Sequence, residues 1–161
     1  MTSANTAGNS AQDSAGNGTD KGAKQAISIR LMEEKDYPQV QAILQTGMDT
    51  GEATFEENAP EAWEDFMRHL LPELSFVAID TDPAAAQAAG LGDDGEKILG
   101  RITATSARHR DVFDGVLEAS IYVHKDAAGK GVAGNLLDRL LKDAADQGHW
   151  AMHSSIFPEN E

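Results

Sequence analysis

The 161-residue chain has no cysteine, which excludes disulfides, thiolate metal sites and cysteine nucleophiles. No apolar run approaches the ~20 residues of a membrane-spanning helix, so no membrane partner is expected. Positive charge is scarce. Thirteen Lys and Arg stand against 27 Asp and Glu, for a formal net charge of −14 and a pI near 4.6. Such a field repels nucleic acid and anionic bilayers, so no nucleic-acid partner is expected either. Any phosphate-bearing ligand must be held by local geometry against the global charge. The opening stretch MTSANTAGNSAQDSAGNGTDKGAKQA contains, after Met1, no Val, Ile, Leu or aromatic residue, and it lacks the apolar segment of a signal peptide. It has too little apolar surface to offset its ordering entropy, so residues 1–26 are expected to be a disordered tail. Lys21 and Lys24 cancel Asp13 and Asp20 there, which leaves the charge on residues 27–161, a length suited to one domain with a core. The lack of cysteine suits a reducing cytoplasm, the location expected.

What is present reads as alternating and helical apolar patterns. ISIRLM (27–32) alternates Ile27, Ile29 and Leu31 against Ser28, Arg30 and Met32, the period of a strand. Asp36, followed by Pro38, reads as the N-cap of a helix whose apolar face is Val40, Ile43, Leu44 and Met48. A second short helix is expected from about Glu61 to Leu71, with Trp63, Phe66, Met67 and Leu70 on its buried face and Pro72 ending it. LSFVAID (74–80), KILGRITATSA (97–107) and VLEASIYV (116–123) read as strands. TDPAAAQAAGLGDDGE (about 81–96) lies where a tight hairpin would suffice and reads as a surface insertion. A long amphipathic helix follows, with Val132, Leu136, Leu137, Leu140, Leu141 and Ala144 on one face and Gly148 closing it. HWAMHSSIF (149–157) is the last expected strand. The order strand, helix, helix, three strands, helix, strand predicts an α/β (α+β) domain. Its mixed, mostly antiparallel sheet has flanking helices, and only the final strand–helix–strand unit is parallel.

The connection into the long helix, DAAGKGVAGNLL (126–137), spells G-x-G-x-x-G at Gly129, Gly131 and Gly134. A dinucleotide fingerprint belongs to the first strand–helix turn of a doubly wound sheet, with an acidic residue about 20 positions on. Here the glycines follow a meander, and Ser154 and Ser155 stand where the acid should be. A Walker loop fails too, because Lys130 is followed by Gly131 rather than Ser or Thr. Two readings stay open from the residues alone. The small residues and the positive helix end can form a main-chain diphosphate cradle, or the loop is a glycine-softened turn without a ligand.

EASIYVHKDAAGKGVAGNLLDRLL resembles the acetyl-CoA-binding core of the GCN5-related N-acetyltransferases (GNAT). Their Gln/Arg-x-x-Gly-x-Gly/Ala signature falls on Ala128, Gly129, Lys130, Gly131, Val132 and Ala133, with Ala128 departing from the usual Gln or Arg. TGEATFEENAPEAWEDF (50–66) and LEASIYV are similar to the phosphinothricin/methionine sulfone N-acetyltransferase branch of that family, and PENE is similar to the start of the branch's final segment. The likeness runs from about Ile27 to Glu161, interrupted by the insertion.

The resemblance implies acetyl-CoA as acyl donor, no metal, and a small-molecule amine as acceptor. It implies Glu118 as the general base, and main-chain contacts to the donor along Ile121, Tyr122 and Val123. The cradle would comprise Ala128, Gly129, Lys130, Gly131, Val132, Ala133 and Gly134, with Asn160 near the thioester. Arg108 and Arg110 lie in the segment that supplies the branch's cationic acceptor-binding side chains, and Phe55 would wall the acceptor pocket. Each also has a plainer reading, as a charged loop or a core aromatic. Trp63 and Phe66 are assigned to the core, and His124 to solvent. Family members continue past the position of Glu161 through a further helix and strand, so a C-terminally incomplete domain is expected, with a homodimer only if those elements were present. The acceptor expected is a glutamate- or methionine-like amino acid. Competing readings are another amine such as a polyamine or peptide N-terminus, a non-catalytic acyl-CoA-binding fragment, and, last, a dinucleotide site.

Overall fold

A computed structural model describes residues 26–51, 58–91, 95–106 and 115–154. The alternating segments form five strands: β1 (Ile27–Leu31), β2 (Phe76–Asp80), β3 (Lys97–Ser106), β4 (Val116–Val123) and β5 (Ala151–His153). They lie in one sheet in chain order, antiparallel from β1 to β4, with β5 parallel to β4. The helices are α1 (Tyr37–Asp49), α2 (Trp63–Met67), α3 (Pro83–Ala88) and α4 (Val132–Asp146).

Two apolar layers hold the sheet. On one side Val132, Leu136, Leu140 and Ala144, at helical spacing on α4, pack on Phe76, Ala78, Ile102, Ala104, Leu117 and Ala119. On the other, Val40, Ile43, Leu44 and Met48 of α1 and Phe66 of α2 pack on Val77, Ile79 and Ile98. All five residues of β2 are buried because helices cover both faces, which is why its sequence is a continuous apolar run rather than an alternation. Gly100 lets α4 approach. A Cβ there would stand 2.9 Å from the Tyr122 carbonyl oxygen and 3.1 Å from Val132 Cγ1.

Several boundaries differ from expectation, each for a local reason. The 81–96 stretch carries a helix, α3, so four helices rather than three flank the sheet; Asp82 accepts the Ala84 N–H at 2.9 Å and Pro83 occupies the first turn. Asp36 makes no side-chain cap to α1. Its carboxylate instead accepts the Glu33 N–H at 2.8 Å and both Nη groups of Arg30. The second helix is shorter, Trp63–Met67, and the Leu71 N–H leaves it to donate to the Ala104 carbonyl at 2.8 Å. A 3-10 turn over Pro72–Leu74 delays β2 to Phe76. Leu31 ends an edge strand and is exposed, while Met32 turns inward.

Candidate active site

The central feature is β4, one edge of which has no strand partner beyond Glu118 among the described residues. β5 pairs only with Val116–Glu118 of β4. The His124 N–H donates to the Leu99 carbonyl at 2.7 Å, and in an antiparallel ladder hydrogen-bonded pairs alternate with non-bonded ones. Ser120 and Tyr122 therefore direct their backbone groups toward β3, and Ala119, Ile121 and Val123 direct theirs outward. The Gly115 carbonyl, on the same outward-facing set, accepts from Trp150 and Ala151 beside β5. Among the described residues no strand pairs with β4 beyond Glu118 on that outer edge. Of the three residues expected to offer main-chain contacts, Ile121 and Val123 face the open edge. Tyr122 does not, because its register pairs it with Arg101.

The open edge leads into the glycine loop. A 3-10 turn over Lys125–Ala127 is capped by His124, whose Nδ1 accepts the Asp126 N–H at 3.1 Å; His124 is thus a half-buried cap rather than a free surface side chain. Gly129 (φ 74) and Gly131 (φ 81) take left-handed conformations that side chains resist. A Cβ at Gly129, Gly131 or Gly134 would meet nothing within 4 Å, so these positions face open space. The Ala128 and Lys130 amides donate within the loop, to Lys125 and Ala127 carbonyls. The first helical bond of α4 runs from the Asn135 N–H to the Gly131 carbonyl at 3.1 Å. The amides of Val132, Ala133 and Gly134 therefore precede the ladder, at the positive end of a 15-residue helix. The Val132 side chain is buried and ties this end to the sheet.

Glu118, half-buried, lies across from Thr105 on β3 and His153 on β5. Side chains two apart share a face, so Ser120 and Tyr122 continue the face of Glu118, with Thr103 and Arg101 opposite them. Arg101 stacks over the rings of Tyr122 (4.6 Å) and Phe66 (5.6 Å). Its Nη1 donates to Thr103 Oγ1 at 2.7 Å and to the Ser120 carbonyl at 3.2 Å. Burial pulls the Arg101 pKa down to about 10. Tyr37, whose hydroxyl donates to the Pro60 carbonyl, has its pKa raised, chiefly by burial. Trp63 and Phe66 pack with Tyr37 as core residues. Phe55, Arg108, Arg110 and Asn160 lie outside the described residues. Sequence reasoning missed Arg101 and His153. Arg101 is a single cation inside the apolar run KILGRITATS, a pattern that signals burial only once both faces of β3 are known to be covered. Among the described residues no group of three or more His, Asp or Glu side chains is placed to hold a metal, and no helix is long and apolar enough to cross a membrane.

The acetyltransferase (GNAT) family matches residues 47–161, more than half of the sequence. The chain belongs to that family. Phosphinothricin N-acetyltransferase of Alcaligenes faecalis is 33% identical over 119 residues, which are 74% of this chain and 55% of that protein. The L-amino acid N-acyltransferase MnaT of Escherichia coli (strain K12) is 41% identical over 54 residues, 34% of this chain and 31% of that one. This GNAT chain therefore spans about half the length, or less, of these relatives. A phosphinothricin acetyltransferase of Sinorhizobium meliloti, solved in complex with acetyl-CoA, superposes with a TM-score of 0.66 at 23% identity. The match covers 81% of this chain and 66% of that one, and it shows a common fold.

Proposed function

We propose that this chain is an acetyl-CoA-dependent N-acetyltransferase acting on the amino group of a small amino-acid-like acceptor of the phosphinothricin or methionine sulfone type. The observation that carries the reading is the edge of β4, without a strand partner beyond Glu118 among the described residues, which runs directly into an uncrowded, left-handed glycine loop at the start of α4. The names of the Alcaligenes and Escherichia relatives support the reaction and the acceptor class, and the acetyl-CoA complex of the Sinorhizobium protein supports the donor.

In this reading the amides at the head of α4, from Gly131 to Gly134, hold the diphosphate of coenzyme A. An acidic chain needs no basic cluster there, because helix-end amides and the peptide dipoles supply the donors. Ile121 and Val123 pair with the pantetheine arm as an added strand would. Acetyl-CoA supplies the thioester-activated acetyl group. Glu118, on the face reached from α1 and α2, takes the proton that an acceptor ammonium must lose before its nitrogen can attack. Phe55, Arg108 and Arg110 shape and charge the acceptor pocket, and Asn160 contacts the donor, roles that rest on the family motif alone. Glu118→Gln keeps the shape and removes the base. Acetylation of methionine sulfone should fall about 10²–10⁴-fold, while the rise in melting temperature caused by acetyl-CoA stays as in the unaltered chain. An unchanged rate and pH profile removes Glu118 from this role. Failure of acetyl-CoA to stabilise the full chain removes the donor site.

A further inference from the structure

In a chain with 27 acidic residues, one buried arginine meets no carboxylate among the described residues. Arg101 is 3% exposed in the middle of β3. Among the described residues the titratable groups that act on it are the phenols of Tyr122 and Tyr37, neutral near pH 7, and not an Asp or a Glu. Buried charges are ordinarily paired, because an isolated ion taken out of water is strongly unfavourable. The guanidinium lies over the rings of Tyr122 and Phe66, and Nη1 donates to Thr103 and Ser120. Nε is buried without an acceptor. The Nε edge is therefore the side of the guanidinium whose hydrogen-bonding capacity is unused, and in its plane it suits a bidentate oxyanion.

We propose that Arg101 recognises the carboxylate of the acceptor amino acid through that edge. The inference rests on the acetyltransferase reading above and adds the acceptor's charge to it. Arg101 and Glu118 share a face of the sheet, because Thr105, opposite Glu118, is four residues along β3 from Arg101. Four residues span ~13 Å of strand, a gap that an amino acid bridges together with the reach of the two side chains. Phe66, on the five-residue α2, lies over the guanidinium. A polyamine would bring positive charge to an uncompensated cation, so this arrangement selects against the polyamine alternative.

The test uses the full chain, Arg101→Met and Arg101→Lys, with methionine sulfone and its decarboxylated amine as paired acceptors. The preference for methionine sulfone, as a ratio of kcat/KM values, should fall at least ~10-fold in Arg101→Met, since a site built for a charged partner discriminates strongly. Arg101→Lys should recover part of it. The melting temperature of ligand-free Arg101→Met should rise by a few degrees, because an unpaired buried charge has been replaced by an apolar side chain. An unchanged ratio, or a fall in melting temperature with the ratio intact, assigns Arg101 to packing and overturns the proposal. If the unaltered chain turns over neither amine while acetyl-CoA still stabilises it, the transfer reading fails separately. The proposal is then decided by binding. It stands if methionine sulfone raises the melting temperature of the unaltered chain and not that of Arg101→Met, and it falls if methionine sulfone has no effect on either.

Discussion

Arg30 and Arg101 occupy one cross-strand row, Arg30 opposite Val77 and Val77 opposite Arg101, yet their surroundings are opposite in kind. Arg30 donates to both oxygens of the buried Asp36 carboxylate at 2.7 Å and also reaches Glu96. Those partners, the Asp36 hydrogen bonds above all, hold its pKa above the ordinary value. Arg101 has aromatic rings, a hydroxyl and a carbonyl, and burial dominates its pKa in the downward direction. Each leaves its Nε without an acceptor, so the difference lies in the counter-charge rather than in the count of hydrogen bonds. An arginine that locks β1 to the turn before α1 comes with its carboxylates. The arginine of the same row in β3 meets no such carboxylate among the described residues.

The largest effect should come from breaking the matched pair. Arg30→Met leaves the Asp36 carboxylate, 4% exposed, without its main partner, and urea denaturation should report a loss of about 3 kcal/mol. A loss under ~0.5 kcal/mol would place Arg30 with ordinary surface arginines and erase the contrast. Alkaline titration sharpens the other side. Folded Arg101 releases its proton near 10, whereas the unfolded chain holds it into the ordinary arginine range, well above that. Across that window the unfolded state binds more protons, so the contribution of this group to stability rises with pH. Tyr37 acts oppositely, since its raised pKa makes its contribution fall above 10.0; Arg101→Met removes the lowering influence of Arg101 on it, so that fall is steeper in the variant and works in the same direction as the Arg101 effect. The stability advantage of Arg101→Met at pH 8 should therefore shrink by roughly 1–2 kcal/mol at about pH 11.5, since a tenfold change in proton affinity is worth ~1.4 kcal/mol. A constant difference between the two proteins would contradict burial as the cause. The smallest effect is steric. A Cβ at Gly47 would stand 2.5 Å from the Tyr122 ring, so Gly47→Ala should cost about 1 kcal/mol of stability by overpacking and disturb the ring on which Arg101 stacks. A neutral substitution would show that the ring moves freely.

The sheet order and the position of the glycine loop were legible because they depend on local periodicity and on the absence of helices between β2, β3 and β4. α3 was also written in the sequence, as Asp82–Pro83 before an Ala-rich run, but the length of the connection suggested a featureless insertion. The active-site details were less legible for a physical reason. Which of Ile121, Tyr122 and Val123 turns its backbone outward depends on the β3–β4 register, which no single segment specifies. The solitary Arg101 looks like any strand cation until α1 and α2 are known to cover its face. The expected cradle loses two of its amides, those of Ala128 and Lys130, which are consumed inside the turn, a detail of local geometry that the glycine spacing does not specify.

Amide hydrogen exchange of the full chain with and without acetyl-CoA addresses the donor site most directly. Slowing of exchange should concentrate at Ile121, Val123 and Gly131–Gly134, where main-chain donors have no strand or helix-ladder partner among the described residues. Slowing absent from these amides, or confined to another part of the sheet while acetyl-CoA binds, would contradict a donor site at this edge and loop.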